Sequence, residues 1–206
     1  MKLSYNAKIM TIRQQDYRTT GLVLFLVLVV SLCFVVFADL HAGPATEEVK
    51  AVQARVDGAP RGIESAFGKY CEKLLVREIR LAKEEVLVAI YSITKWSIRD
   101  ALIDAVSRGV AVRVKYDVKS AEYKGMSDAI SHMKKHGVEC VPVEMSDEYA
   151  NMHHKFTVID RKQVLTGSYN YTVPASSGLN YENLVLIESA EIAKHFIEEF
   201  ERIKSK

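Results

Sequence analysis

The stretch Met152 to Asn170, MHHKFTVIDRKQVLTGSYN, sets two histidines and a lysine at the head of one short apolar run and a serine and an asparagine at the tail of the next. An imidazole is the side chain that can attack or carry protons near neutral pH. Lysine, serine and a carboxamide add positive charge and hydrogen bonds suited to an oxyanion such as phosphate. His153, Lys155, Ser168 and Asn170 together therefore point to a phosphodiester substrate. No carboxylate cluster or paired His/Cys spacing accompanies them, so the sequence indicates no hydrolytic metal ion, and no cofactor is expected.

The two runs read as strands of a hairpin. A two-residue loop at Arg161-Lys162 pairs Asp160 with Gln163, which sets Lys155 opposite Ser168 and His153 opposite Asn170. Side chains alternate along a strand and opposite residues share a face, so this register brings all four to one face. His154, Phe156 and Tyr169 then point the other way, into packing. Arg161-Lys162 is not a favoured type I′ pair, and a longer loop would shift the cross-strand partners while leaving each same-strand pairing intact.

Upstream, Leu74, Leu75, Ile79 and Ala82 follow helical spacing within Gly62 to Glu84, and Val86 to Ile93 reads as a buried strand. Ser97-Ile-Arg-Asp100 has the pattern of a capping box, opening a helix that Gly109 stops. Val110 to Asp117 reads as a strand, Met126 to His136 as a helix capped by Gly137, and Val138 to Val143 as a short strand. After the hairpin come a strand from Glu182 to Ile187 and a helix with Ile192, Phe196, Ile197, Phe200 and Ile203 on one face. This alternation predicts an α/β fold with a mixed, mainly parallel sheet sandwiched by helices.

The chain has 206 residues, 49% hydrophobic and 26% charged, enough for one domain with a sizeable core. Gly21 to Ala38 are eighteen residues without a charge, close to the ~20 that cross a bilayer as a helix. Lys2, Lys8, Arg13 and Arg18 precede them against Asp16 alone, a bias that keeps residues 1–20 in the cytoplasm and sends the rest across. Residues 21–38 are thus expected to be a membrane anchor or uncleaved signal. Val36 and Ala38 suit a signal peptidase, so secretion after cleavage at Ala38 is the alternative. Residues 39–61, with Gly43-Pro44, Gly58 and Pro60, read as a linker, and the working domain as 62–206, outside the cytoplasm.

Without the four basic residues and one acidic residue before Asp39, 24 Lys and Arg stand against 25 Asp and Glu. Bulk charge gives no support to a nucleic-acid partner. Cys71 and Cys140 either pair, which export would permit, or serve as two small buried thiols.

The pattern His153-x-Lys155-x4-Asp160-x6-Gly167-Ser168-x-Asn170 resembles the HKD signature of the phospholipase D superfamily at every defining position. The similarity runs from about Gly62 to the C-terminus and takes in IYSIT, ALIDAVSRGVAVRV and NYENLVLI. It is nearest the single-motif branch, which includes a plasmid-borne bacterial endonuclease and the mitochondrial cardiolipin hydrolase/nuclease Zucchini. The resemblance implies that His153 is a nucleophile forming a phosphohistidine, with Lys155, Ser168 and Asn170 around the phosphate. Glu182 resembles the acid that orients a histidine, while Asp160 and Gly167 are structural members of the motif.

In-line displacement at phosphorus needs a nucleophile on one side and an acid on the other. Superfamily chains often carry two motifs and this one carries a single copy, so a homodimer with a shared site is expected, the second His153 serving as general acid. An endonuclease on DNA or RNA is the first reading, since so small a domain leaves little room for a lipid-sized pocket. A phospholipase on membrane phospholipids such as phosphatidylcholine or cardiolipin is the second. There Tyr91, Lys95 and Trp96 would form an interfacial rim, although ordinary packing beside a helix start is the simpler expectation for Trp96. A tethered binding module with a dead site is a third, disfavoured by the intact motif.

Overall fold

A computed structural model gives the structure of residues 62–204. The expected segments 1–20, 21–38 and 39–61 lie outside the described residues. Among the described residues no helix is long and apolar enough to cross a membrane.

In chain order the elements are β1 (Ile63–Phe67), α1 (Tyr70–Leu81), β2 (Glu85–Ile90), α2 (Trp96–Ser107), β3 (Ala111–Asp117), a 3₁₀ turn (Ser120–Glu122), α3 (Lys124–Lys135), β4 (Glu139–Val143), β5 (Lys155–Ile159), β6 (Gln163–Gly167), α4 (Val173–Ser176), β7 (Asn183–Glu188) and α5 (Ala190–Arg202). The strands form one sheet in the order β1-β7-β6-β5-β2-β3-β4. The β2-β3 and β3-β4 pairs are parallel, and the other four described pairings are antiparallel. The mixed α/β expectation holds, but "mainly parallel" does not. Helical crossovers α2 and α3 impose parallel neighbours only in the first half, whereas β5 and β6 are joined by a tight loop that forces antiparallel pairing.

Alternation along β2 divides two cores. Val86, Val88 and Ile90 face Leu74, Leu75 and Ile79 of α1, Ile98 and Leu102 of α2, and Met126 and Met133 of α3. Leu87 and Ala89 face Phe156, Val158 and Val164 and the α5 residues Ala193, Ile197 and Phe200. A strand apolar on both faces must be covered on both, which is why VLVAI reads as a continuous run.

Ile63 to Phe67 is a strand, not the start of a helix. Its pairing with β7, from Ile63 opposite Ile187 to Phe67 opposite Asn183, and the bidentate Arg77–Glu64 ion pair at 3.1 and 2.6 Å hold a segment whose own residues carry no strand period. Ser97 does not cap α2 either. The helix begins one residue before it, and the Ser97 hydroxyl donates to Glu72 Oε1 of α1 at 2.5 Å. Trp96 is 71% exposed rather than packed, because Ile98 and Leu102 take the buried face. Cys71 and Cys140 are buried, unpaired thiols, each pushed up to about 11 by burial.

The hairpin loop is three residues, Asp160 to Lys162. Ile159 pairs with Gln163 and Phe156 with Thr166, with Asp160 and Arg161 in the left-handed region at φ 50° and 57°. Continued one step, that register sets Lys155 against Gly167, so the expected pairs Lys155 with Ser168 and His153 with Asn170 do not form. Tyr169 packs in the α1–α3 core while Phe156 packs against Phe196 of α5, so these two do not share a side.

Candidate active site

β5 begins where β2 and β6 end, so the loops at this end of the sheet gather the polar residues. His153 and Lys155 enter from the loop that leads into β5. Lys155 Nζ lies 3.2 Å from His153 Nε2 and donates to the His153 carbonyl at 3.0 Å. In the tautomer that leaves Nε2 unprotonated the lysine donates to it, and that is the form in which an imidazole can attack. The His153 ring leans on Tyr91 at 4.8 Å between centroids, and Lys155 Nζ sits 5.2 Å from the Tyr91 ring centre. Burial pulls the Lys155 ammonium below its ordinary value, against the opposing charge of Glu182.

Glu182 is bonded to the second half of the motif and acts on Lys155 of the first through its charge. Its Oε2 accepts from Ser168 Oγ at 2.5 Å, and Ser168 Oγ in turn accepts from Asn183 N at 3.1 Å. The Glu182 backbone is fixed by Gly68 N–H, which donates to its carbonyl at 2.8 Å. Among the described residues Glu182 bonds Ser168 and Asn180 rather than a histidine. The gathering of Lys155, Ser168 and Glu182 thus comes from strand ends meeting, not from facing positions across the ladder. Gly167 is required at that meeting, since a Cβ there would stand 2.2 Å from the Asn183 carbonyl oxygen.

Asn170 stands between Ser168 and Tyr171, whose backbone pairs with Ser92, Thr94 and Lys95 just past β2. Its Oδ1 is buried with no hydrogen-bond partner among the described residues, a costly condition unless another group completes it. Asp160 lies at the far end of the sheet, where its carboxylate accepts from the backbone N–H groups of Lys83, Glu84 and Glu85 at 2.8–3.2 Å.

Three supports were not expected from the sequence. The buried Asp117 accepts from Met152 N at 3.0 Å and Ser120 N at 2.8 Å, fixing the residue before His153. Lys119 Nζ donates to the carbonyls of Asp147, Glu148 and Ala150, tying down the same approach. On the other side, His154 Nε2 meets Glu199 Oε1 of α5 at 2.8 Å. An acid closing an apolar strand, as in AVRVKYD, is the signal that marks Asp117, because a charge there needs backbone donors.

The arrangement supplies an imidazole exposed to solvent, a cation beside it and a hydroxyl held by an acid. The profile of the family described as "Cardiolipin synthase, PLD-like domain" matches residues 75–204. The chain is 32% identical over 130 residues to a phospholipase D of Rickettsia bellii, covering 62% of this chain and 61% of that protein. It is 30% identical over 149 residues to a mitochondrial cardiolipin hydrolase of Canis lupus familiaris, covering 71% and 56%. Among solved structures, a phospholipase D family member, Nuc from Salmonella typhimurium, matches with TM-score 0.64 and 25% identity over 68% of this chain and 92% of that one. The chain thus spans about three fifths of the curated relatives it matches.

Proposed function

This chain belongs to the phospholipase D-like family, and from that membership we propose that it is a metal-independent phosphodiesterase working through a phosphohistidine on His153. The observation that carries the reading is the His153–Lys155 pair, an exposed imidazole whose Nε2 faces an ammonium at 3.2 Å. Nε2 attacks phosphorus, the P–O bond to the leaving group breaks, and that oxygen takes a proton from His153 of a second copy. The second copy's His153, now neutral, takes a proton from water as the water oxygen attacks phosphorus and the P–N bond breaks, returning free imidazole on the first chain, imidazolium on the second and a phosphomonoester. Lys155 and Asn170 stabilise the charge that builds on the phosphoryl oxygens, and Ser168 with Glu182 completes the wall.

The substrate in this reading is a nucleic acid, DNA or RNA, cut by an endonuclease. The small domain and the open site support it. Hydrolysis of membrane phospholipids is the second reading, favoured by the exposed Trp96 and by relatives named phospholipase D and cardiolipin hydrolase. In both, the uncharged run 21–38 in the sequence supports a domain held outside the cytoplasm. The test is hydrolysis in EDTA of supercoiled DNA, single-stranded RNA, phosphatidylcholine and cardiolipin, with acid-quenched protein analysed for phosphohistidine. His153→Asn should abolish both turnover and the phosphorylated residue. Turnover that persists in that variant overturns the mechanism.

A further inference from the structure

Beside the site, on the far side of Glu182, lies an open groove of about 550 Å³ at the ends of β1 and β7. Its walls include Phe67, Lys69, Tyr70, Asn180, Tyr181 and Asn183. Phe67 is 65% exposed and Tyr181 fully so, although burying aromatic rings is normally favourable. The groove adjoins the phosphate-binding residues, since Glu182 forms part of its wall and holds Ser168. Neighbouring strands lie about 4.8 Å apart, so the sheet carries the groove roughly 14 Å from β5 to β1, in line with a chain leaving the site.

We propose that this groove is a stacking subsite for an unpaired nucleobase next to the scissile phosphate, which makes single-stranded nucleic acid the substrate class. The inference rests on the nuclease reading above and deepens it. The wall chemistry selects a base over an acyl chain: it holds three aromatic rings and no leucine, isoleucine, valine or methionine. Every base has a π face that such rings can stack upon, whatever its identity. The carboxamides of Asn180 and Asn183 offer donors and acceptors at the groove edge. Lys69, on the groove wall, holds its ammonium 5.4 Å from the Tyr70 ring centre, positive charge within the groove for a flanking phosphate. Stacking also explains how a domain with balanced charge could hold a polyanion, because that part of the affinity does not come from counterion release. A base within a duplex is already stacked and could not enter.

The test uses the full chain in a His153→Asn background, so that binding is read without cleavage, with a fluorescent single-stranded oligonucleotide and the same sequence as a duplex. Phe67→Ala with Tyr181→Ala should raise Kd for the single strand at least tenfold, with little effect on the duplex, while Tyr181→Trp restores binding. Both positions are exposed, so neither truncation opens a core cavity. An unchanged Kd in the double variant, or equal losses on single strand and duplex, overturns the subsite. So does a result in which the double variant loses phosphatidylcholine or cardiolipin vesicle binding and keeps the oligonucleotide. Failure of the underlying reading is separate: it would appear as wild-type protein that cuts neither supercoiled DNA nor single-stranded RNA in EDTA.

Discussion

Asp160 carries the last letter of the motif yet sits across the sheet from His153, where its carboxylate gathers three peptide N–H groups from the turn before β2. Burial pushes its carboxyl up, but those donors and Lys162 outweigh burial and hold it below the usual carboxylate range. A depressed folded value gives stability that is present above the unfolded value near 3.9 and lost as pH falls through the folded one. Asp160→Ala should therefore cost about 1–3 kcal/mol in urea unfolding at pH 7, with Asp160→Asn milder because one acceptor oxygen remains. The deficit should shrink below about pH 4, and a deficit that stays constant down to pH 2 would contradict the assignment. Lys155 makes the opposite case, a residue whose loss should spare the fold. Lys155→Met removes the charge beside Nε2, and kcat should fall about 10²–10³-fold with Tm little changed.

Gly167 governs how β6 and β7 meet. Its missing side chain admits the Asn183 carbonyl, and Gly167→Ala should part the strands at a cost of about 1–3 kcal/mol, read as a lower Tm. Because Ser168 and Glu182 bridge the same two elements, activity should fall as well; an alanine variant with unchanged Tm and turnover would show that the strands can part freely. At this scale the sequence was legible where its period was strong. The apolar stripe of α5 and the run in β2 are visible because burial repeats at fixed spacing. β1 was not, since one buried residue, Ala66, marks it and its pairing with β7 comes from far along the chain. The HKD residues could be picked out by type and spacing. Their mode of convergence could not, because the left-handed conformations of Asp160 and Arg161 that lengthen the loop leave no pattern in side chains that are not glycine.

At the scale of the whole molecule, the proposed mechanism asks for two imidazoles where one chain offers one. One imidazole cannot stand on both sides of a phosphorus atom, and the described residues place a single motif histidine at this end of the sheet, exposed to solvent. Most of the exposed large apolar side chains, Phe67, Trp96, Tyr149 and Tyr181 among them, crowd the same end, where a second copy or a substrate would cover them. Differently tagged wild-type and His153→Ala chains, co-expressed and purified through both tags, should yield heterodimers that carry one intact imidazole. If the two histidines share a phosphorus, such a species lacks either nucleophile or acid in every orientation, and its turnover should fall at least about 10²-fold below wild type. If each protomer works alone, the heterodimer keeps half the wild-type rate, and the shared-site mechanism is wrong. A phosphohistidine confined to the wild-type chain, formed with an activated leaving group that needs no acid, would further assign the lost function to proton donation by the substituted chain.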